Sequence, residues 1–290
     1  TLVLVMILKI LGMDLFDSLC IAFGTAGTGG FAVTGAGIAA YDSLAIEVTL
    51  GIFMLLFGVN FSVYHLILLK KIKDVFAMEE LKVYFGIVAA ATLSIACNVV
   101  QMAGGFGNAL RQAFFQVSSI ITTTGFSTVD YDLWPEFSKH VLVLLMVIGA
   151  CAGSTGGGMK VSRVIILVKS FILEVRQIIN PKEIVTVRLN GKPVDKKTLG
   201  STRIYAAAYL ILICVFTLII SLDGFDLTTN LTAVLSCFNN IGPGLNLVGP
   251  VQNFSIYSDW VQVVLSIVML TGRLEIFPMF LLLAKSAHDK

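Results

Sequence analysis

The run NALRQAFFQVSSIITTTGF, residues 108–126, decides how this chain folds. It opens on Asn108, a side chain suited to a helix N-cap, and stays largely apolar to Ile121. A helix needs ~20 apolar residues to cross the hydrocarbon core of a bilayer, and this run is shorter. It closes on Thr122, Thr123, Thr124 and Gly125, a stretch that a regular helix disfavours. A short apolar helix that stops at a glycine between longer apolar runs reads as a re-entrant segment, one that enters a membrane and turns back.

The pattern occurs three times. Residues 14–26 begin on Asp14 and lead into Gly27, Thr28, Gly29, Gly30 and Phe31. Residues 226–238 begin on Asp226 and lead into Asn239, Asn240, Ile241, Gly242 and Pro243. Taking Gly29, Gly125 and Gly242 as markers, the repeats are 96 and 117 residues apart. Repetition at this scale outranks any single motif. Longer apolar runs flank each short one. Residues 1–13 read as the end of an outer helix, and residues 43–69 as an inner one. Residues 83–104 form the next outer helix, 139–179 an inner helix broken in its middle, 203–222 an outer helix and 259–284 the last inner one. Three pore units are therefore expected over residues 1–70, 83–179 and 203–290. Residues 180–202 form a linker in which Pro181, Gly191 and Pro193 break any helix. The chain opens inside an apolar run without an initiator Met, and is expected to be partial.

Composition places these runs in a membrane. Only 13% of the 290 residues are charged and 57% are hydrophobic, against about 25% charged in soluble domains. The net charge of +2 implies no nucleic-acid partner. Its distribution sets orientation. Ten Lys/Arg lie at residues 160–203 and four more at residues 70–82, and positive loops stay in the cytoplasm. Residues 127–138 carry Asp130, Asp132 and Glu136 but no basic residue, so they face outside. Cys20, Cys97, Cys151, Cys214 and Cys237 show no Cys-x-x-Cys spacing and read as buried small hydrophobes rather than zinc ligands or disulfides.

Backbone that leaves a helix at membrane depth survives only where it is buried in protein or lines a wet cavity. A dehydrating cation supplies the missing partner, because rings of carbonyl oxygens replace its hydration shell. The negative ends of three short helices would favour the same charge. The candidate ion-binding residues are accordingly Ala26, Gly27, Thr28 and Gly29, then Thr122, Thr123, Thr124 and Gly125, then Asn239, Asn240, Ile241 and Gly242.

These residues resemble a family. Thr123-Thr124-Gly125-Phe126 looks like the filter of the Trk/Ktr/HKT superfamily of potassium transporters, as do Thr28-Gly29-Gly30-Phe31 and Asn239-Asn240-Ile241-Gly242-Pro243-Gly244. Two further stretches carry the likeness: GACAGSTGGGMK at residues 149–160 and GRLEIF at residues 272–277. It covers the whole chain and is closest to the bacterial Trk-type subunit. The resemblance implies an all-α protein of the bacterial cytoplasmic membrane, with four helix–pore-loop–helix units around a pseudo-fourfold pore. The three seen here match the second, third and fourth. It also implies K+ held at the filter residues, a homodimer, and a cytosolic ring of nucleotide-binding regulatory subunits. The basic stretch from Lys182 to Arg203 is the expected docking face, and it would also attract anionic membrane lipid. No cofactor other than the transported ion is implied.

Residues 149–160 are the second candidate site. Five glycines (Gly149, Gly153, Gly156, Gly157 and Gly158) interrupt an apolar helix, each at ~1 kcal/mol relative to alanine. With Cys151, Ser154, Thr155 and Lys160 they read as a flexible plug below the filter, and the resemblance implies an intramembrane gate. Close helix packing through small residues is the alternative. A phosphate-binding loop is excluded, since Met159 and Val161 stand where that motif needs glycine and Ser/Thr. Arg273 either contacts this loop or snorkels toward the cytoplasm, and Lys160 either belongs to the gate or begins the basic cluster. Glu275 faces another side of its helix. Asn60 and His65 read as interhelical hydrogen-bonders. His65, His140 and His288 are scattered, and no acid/base pair or nucleophile marks an enzyme. The functional expectation is K+ uptake, with a Na+- or H+-coupled transporter of the same architecture as the alternative. A membrane scaffold without transport is the remaining class.

Overall fold

The computed structural model describes residues 1–181, 186–274, 276, 278 and 279. Lys182, Glu275, Phe277 and His288 therefore lie outside the described residues, as does the end of the expected 259–284 helix. The chain is built from α-helices, in the same order three times. Helix α1 (Leu2–Ile10) leads to the short α2 (Leu15–Ala26), then to α3 (Leu44–Phe57) and α4 (Phe61–Leu68). After α5 (Ile72–Ala77) come α6 (Glu79–Val99), the short α7 (Phe106–Ile121), α8 (Glu136–Ile148) and α9 (Val161–Ile179). The third group is α10 (Lys196–Ile220), the short α11 (Leu227–Asn239) and α12 (Asp259–Arg273).

Three apolar cores follow the three groups. One packs Leu4, Leu8, Ile21, Leu50 and Met54 from α1, α2 and α3. A second joins Ile95, Val99, Val117, Ile120, Leu142 and Met146 from α6, α7 and α8. The third joins Tyr209, Ile213, Val234, Phe238, Val261 and Leu265 from α10, α11 and α12. The outward faces are apolar too. On α10, Tyr205, Tyr209 and Ile213 are buried at a four-residue spacing, while Ile204, Leu210, Ile211 and Leu218 are exposed. A helix apolar on both faces belongs in lipid. Among the described residues, α6 and the span Lys196–Asp223 are long and apolar enough to cross a membrane.

The expected inner helix over residues 43–69 is instead two helices, α3 and α4, bent by 89°. Gly58 and Asn60 mark the break. The Asn60 side chain accepts from Ser62 N–H at 2.9 Å, so Asn60 caps α4 rather than bonding between helices, and His65 is exposed. Helix α6 begins at Glu79, four residues before the expected start, which brings Glu79 and Glu80 into its first turn. The expected plain turn over residues 70–82 contains α5. Asp226 caps α11 through Thr229 N–H at 3.1 Å. Asp14 holds the N-cap position of α2 without a side-chain bond, and α7 starts behind Gly105, leaving Asn108 inside its first turn. The linker holds a two-stranded hairpin, β1 (Arg188–Leu189) against β2 (Lys192–Pro193). Its turn residues Asn190 and Gly191 have φ of 53° and 75°, the left-handed pair that a tight hairpin requires. Lys196 and Lys197 lie on the first turn of α10, not in an irregular linker. Cys151 and Cys237 are buried as expected of small hydrophobes, but Cys97 and Cys214 are exposed on the outer faces of α6 and α10.

Long-range polar ties hold the groups together. Arg111 on α7 makes a bidentate pair with Glu47 on α3 at 2.6 and 2.7 Å. Planar two-bond pairing of this kind fixes orientation as well as distance. Between the second and third groups, Tyr131 Oη donates to Gly244 O at 3.2 Å and Asn246 N–H donates to Asp132 at 2.9 Å.

Candidate ion-conduction site

The three short helices end alike. Thr28, Thr123 and Asn240 each adopt positive φ, at 53°, 56° and 55°. Two residues later Gly30, Gly125 and Gly242 do the same, at 66°, 86° and 117°. The hydrogen bonds keep one register: Gly29 N–H donates to Gly24 O, Thr124 N–H to Ser119 O and Ile241 N–H to Ser236 O, at 2.7, 2.9 and 2.9 Å. This register corrects the expected alignment by one residue in the first segment. The stretch equivalent to residues 122–125 and 239–242 is residues 27–30, so Gly30, not Gly29, matches Gly125 and Gly242. Ala26 is the last residue of α2 and precedes the extended part.

The segments meet side by side. A Cβ on Gly125 would overlap the Ile241 carbonyl oxygen, and one on Gly30 would overlap the Thr124 carbonyl oxygen. The approach of neighbouring segments therefore requires glycine at Gly125 through space as well as φ. Side chains behind the segments fix them: Ser119 Oγ donates to Phe126 O at 2.6 Å and Ser236 Oγ to Gly242 O at 2.7 Å. Asn239 exchanges hydrogen bonds with Tyr209 Oη and donates to Leu235 O at 3.0 Å. At the exposed start of α11, hydrogen bonds from Thr229 and then from Asn246 hold the Asp226 carboxyl below the usual carboxylate range.

Residues 149–160 leave the helix line and return to it. Met159 N–H donates to Val147 O and Lys160 N–H to Ile148 O at 3.1 and 2.9 Å, closing the neck of the excursion. Its tip touches all three short segments. Thr155 O accepts from Thr28 Oγ1 at 3.0 Å, and Gly157 N–H donates to Thr123 Oγ1 at 2.6 Å. A Cβ on Gly157 would overlap the Asn239 carbonyl oxygen, and one on Gly156 would sit 3.0 Å from Thr122 O. The bend between α3 and α4 receives the other side of the loop: Cys151 N–H donates to Gly58 O and Phe61 N–H to Gly153 O, both at 3.0 Å. Ser154 Oγ turns back to Cys151 O at 2.7 Å.

Both undecided cations lie on this loop. Arg273 donates to Thr155 O at 3.0 Å. Lys160 Nζ donates to Gly156 O, so its side chain folds onto the loop instead of joining the basic cluster. A cavity of about 660 Å³ runs between outer-loop residues Pro250 and Asn253, the segments around Gly29 and Gly242, and Arg273. A second, of about 310 Å³, is lined by residues 153–158, Lys160, Asn240 and Arg273. Asn240 and Arg273 border both. One side chain that contacts the loop escaped sequence reasoning: Glu80, buried at the start of α6, accepts from Ala152 N–H of the loop at 2.7 Å. Its only signal was an acidic residue beside an apolar run.

The TrkH family profile, described as a cation transport protein, matches residues 84–290. The Trk system potassium uptake protein TrkH of Escherichia coli K12 is 33% identical over 276 residues, covering 93% of this chain and 56% of the relative. TrkG of the same organism is 30% identical over 277 residues, covering 94% and 56%. The crystal structure of the potassium transporter TrkH from Vibrio parahaemolyticus superposes with a TM-score of 0.91 at 29% identity, over 99% of this chain and 62% of that one. The chain thus spans somewhat over half the length of the relatives it matches.

Proposed function

This chain belongs to the TrkH family of cation transport proteins, and on that basis we propose that it forms the pore-lining part of a potassium-uptake protein. It is a multi-pass membrane protein of the cell membrane. The observation that carries the reading is the loop tip seated against Thr28, Thr123 and Asn239 at once. Carbonyls of residues 27–30, 122–125 and 239–242 dehydrate and select K+, and residues 149–160 obstruct the path on the side of Arg273. Segments of this kind would surround a pseudo-fourfold axis. Entry is driven by the membrane potential, worth about 2.3 kcal/mol per charge per 100 mV. Rubidium uptake into liposomes holding the full-length protein tests this: K+ should compete strongly and Na+ weakly. Equal competition would overturn K+ selectivity. Coupling to Na+ or H+ is the second reading, favoured by a flux that stops when that ion is replaced.

Arg273 restrains the loop in this scheme, because its guanidinium takes a carbonyl at the tip. Arg273→Ala is expected to raise basal Rb+ flux modestly, by less than a loop deletion does. Flux at or below the wild-type level, per folded protein, would remove that role.

A homodimer docked on a cytosolic ring of nucleotide-binding subunits completes the proposal. Lys192, on the hairpin, and Lys196 and Lys197, on the first turn of α10, are exposed and close in sequence. Reversing all three to Glu is expected to weaken ring binding in a pull-down and to make it less salt-sensitive. Wild-type retention by the triple variant would remove the docking face and leave these lysines as a topology signal.

A further inference from the structure

Glu80 is the second residue of α6, and its carboxylate is almost wholly buried. A carboxylate at a helix N-terminus ordinarily serves its own helix. Here Oε1 instead accepts from two N–H groups far along the chain: Ala152 at 2.7 Å, on the outgoing limb of the loop, and Ser162 at 3.2 Å, in the first turn of α9. One oxygen therefore holds the loop next to the helix into which it returns. Bonds to an ionised acceptor are about twice as strong as neutral ones. Much of the loop is glycine, which offers no side chain for anchorage, so backbone bonds carry the burden of placing it.

The neighbouring residue faces the cytoplasmic hairpin. Glu79 N–H donates to Asn190 Oδ1 at 2.7 Å, and the Glu79 carboxylate pairs with Lys169 on α9 at 2.5 Å. Lys169 Nζ also donates to Arg188 O of β1 at 2.8 Å. The hairpin, α9 and the first turn of α6 are thus tied at the residue next to the one that grips the loop.

We propose that Glu80 is the positioning residue that latches the glycine-rich loop in its obstructing place, and that the hairpin is the cytoplasmic handle of that latch. The proposal rests on reading the loop as a gate. A displacement of Asn190 moves the start of α6, and Glu80 with it, so force applied outside the membrane reaches Ala152 through two adjacent residues.

The test uses the full-length protein. Cys151 precedes Ala152 and is buried, so its thiol reports loop release independently of transport. The labelling rate of Cys151, resolved from the other cysteines by mass spectrometry, is expected to rise about tenfold in Glu80→Ala, equivalent to about 1.4 kcal/mol. Glu80→Gln keeps the size and one acceptor and should fall between Glu80→Ala and wild type. If Glu80→Ala does not fold, Glu80→Gln decides. Basal Rb+ flux should rise in the same order with K+ preference kept. Asn190→Gly retains the left-handed turn, removes the contact to Glu79, and should give a smaller rise in both readouts. Wild-type labelling in folded Glu80→Gln would overturn the latch, and wild-type behaviour of Asn190→Gly would overturn the handle. Faster labelling without added flux would keep the latch but overturn the gate reading. Deleting residues 152–157 should leave nothing for Glu80→Ala to add, and additive flux would again contradict the latch.

Discussion

Deleting residues 152–157 from the full-length protein is expected to raise basal Rb+ flux about tenfold or more without any cytosolic partner. A closed state favoured by only ~1.4 kcal/mol already suppresses the open population tenfold. The geometry makes the deletion feasible. Gly149 and Gly158 cross at the neck, where a Cβ on Gly149 would stand 2.8 Å from Gly158 Cα, and Val161 N–H already bonds to Ala150 O at 3.0 Å. The two sides of the neck are therefore already in contact, which favours closure of the shortened chain. K+ preference should survive, because the deletion removes contacts to Thr28 and Thr123 side chains but no residue of the short segments. Packing predicts the reverse: loss of small residues would loosen the helices and lower both yield and flux. Flux per folded protein separates the two, and a folded deletion variant with wild-type flux would sink the gate.

Gly125→Asp should abolish discrimination between K+ and Na+ while leaving membrane insertion intact. Three effects act together. The φ of 86° is a region that side-chain-bearing residues occupy at a cost of ~1–3 kcal/mol. The new Cβ overlaps the Ile241 carbonyl oxygen, so one of the two segments must shift. The carboxylate then adds a full charge where the site offers only carbonyl dipoles. Gly125→Ser carries the first two effects and should relax selectivity by a smaller factor. Retained K+ preference in either variant, measured by competing Na+ against Rb+ uptake, would count against Gly125 as part of the filter.

The helical groups were legible because run length and composition are local properties. Residues 108–121 are too short to span, and the contrast with the longer residues 83–104 is visible without any fold. The glycine run at residues 149–158 was legible for the same reason, since no regular helix tolerates it. The register of the first short segment was not. Gly27, Gly29 and Gly30 crowd the same stretch, and the positive φ of Gly30 together with the matching bonds from Gly29 to Gly24 and from Thr124 to Ser119 single out Gly30. The bend at Gly58 and Asn60 was hidden inside an apolar run because its carbonyl and N–H partners come from Cys151 and Gly153. Glu47 meets its partner Arg111 from 64 residues away. Glu80 looked like the flank of a span until Ala152 met it. The bend and the two carboxylate ties are polar contacts between distant segments, which periodicity does not encode.

The most direct test of the pore is to locate the ion. Crystals of the full-length protein grown with Rb+ in place of K+ should show anomalous density between the carbonyls of residues 27–30, 122–125 and 239–242, above Gly156 and Gly157. Density should weaken when Rb+ is exchanged for K+ and persist when Na+ is added. Protein that takes up Rb+ in liposomes yet shows no ion among these carbonyls at saturating Rb+ would contradict the filter assignment.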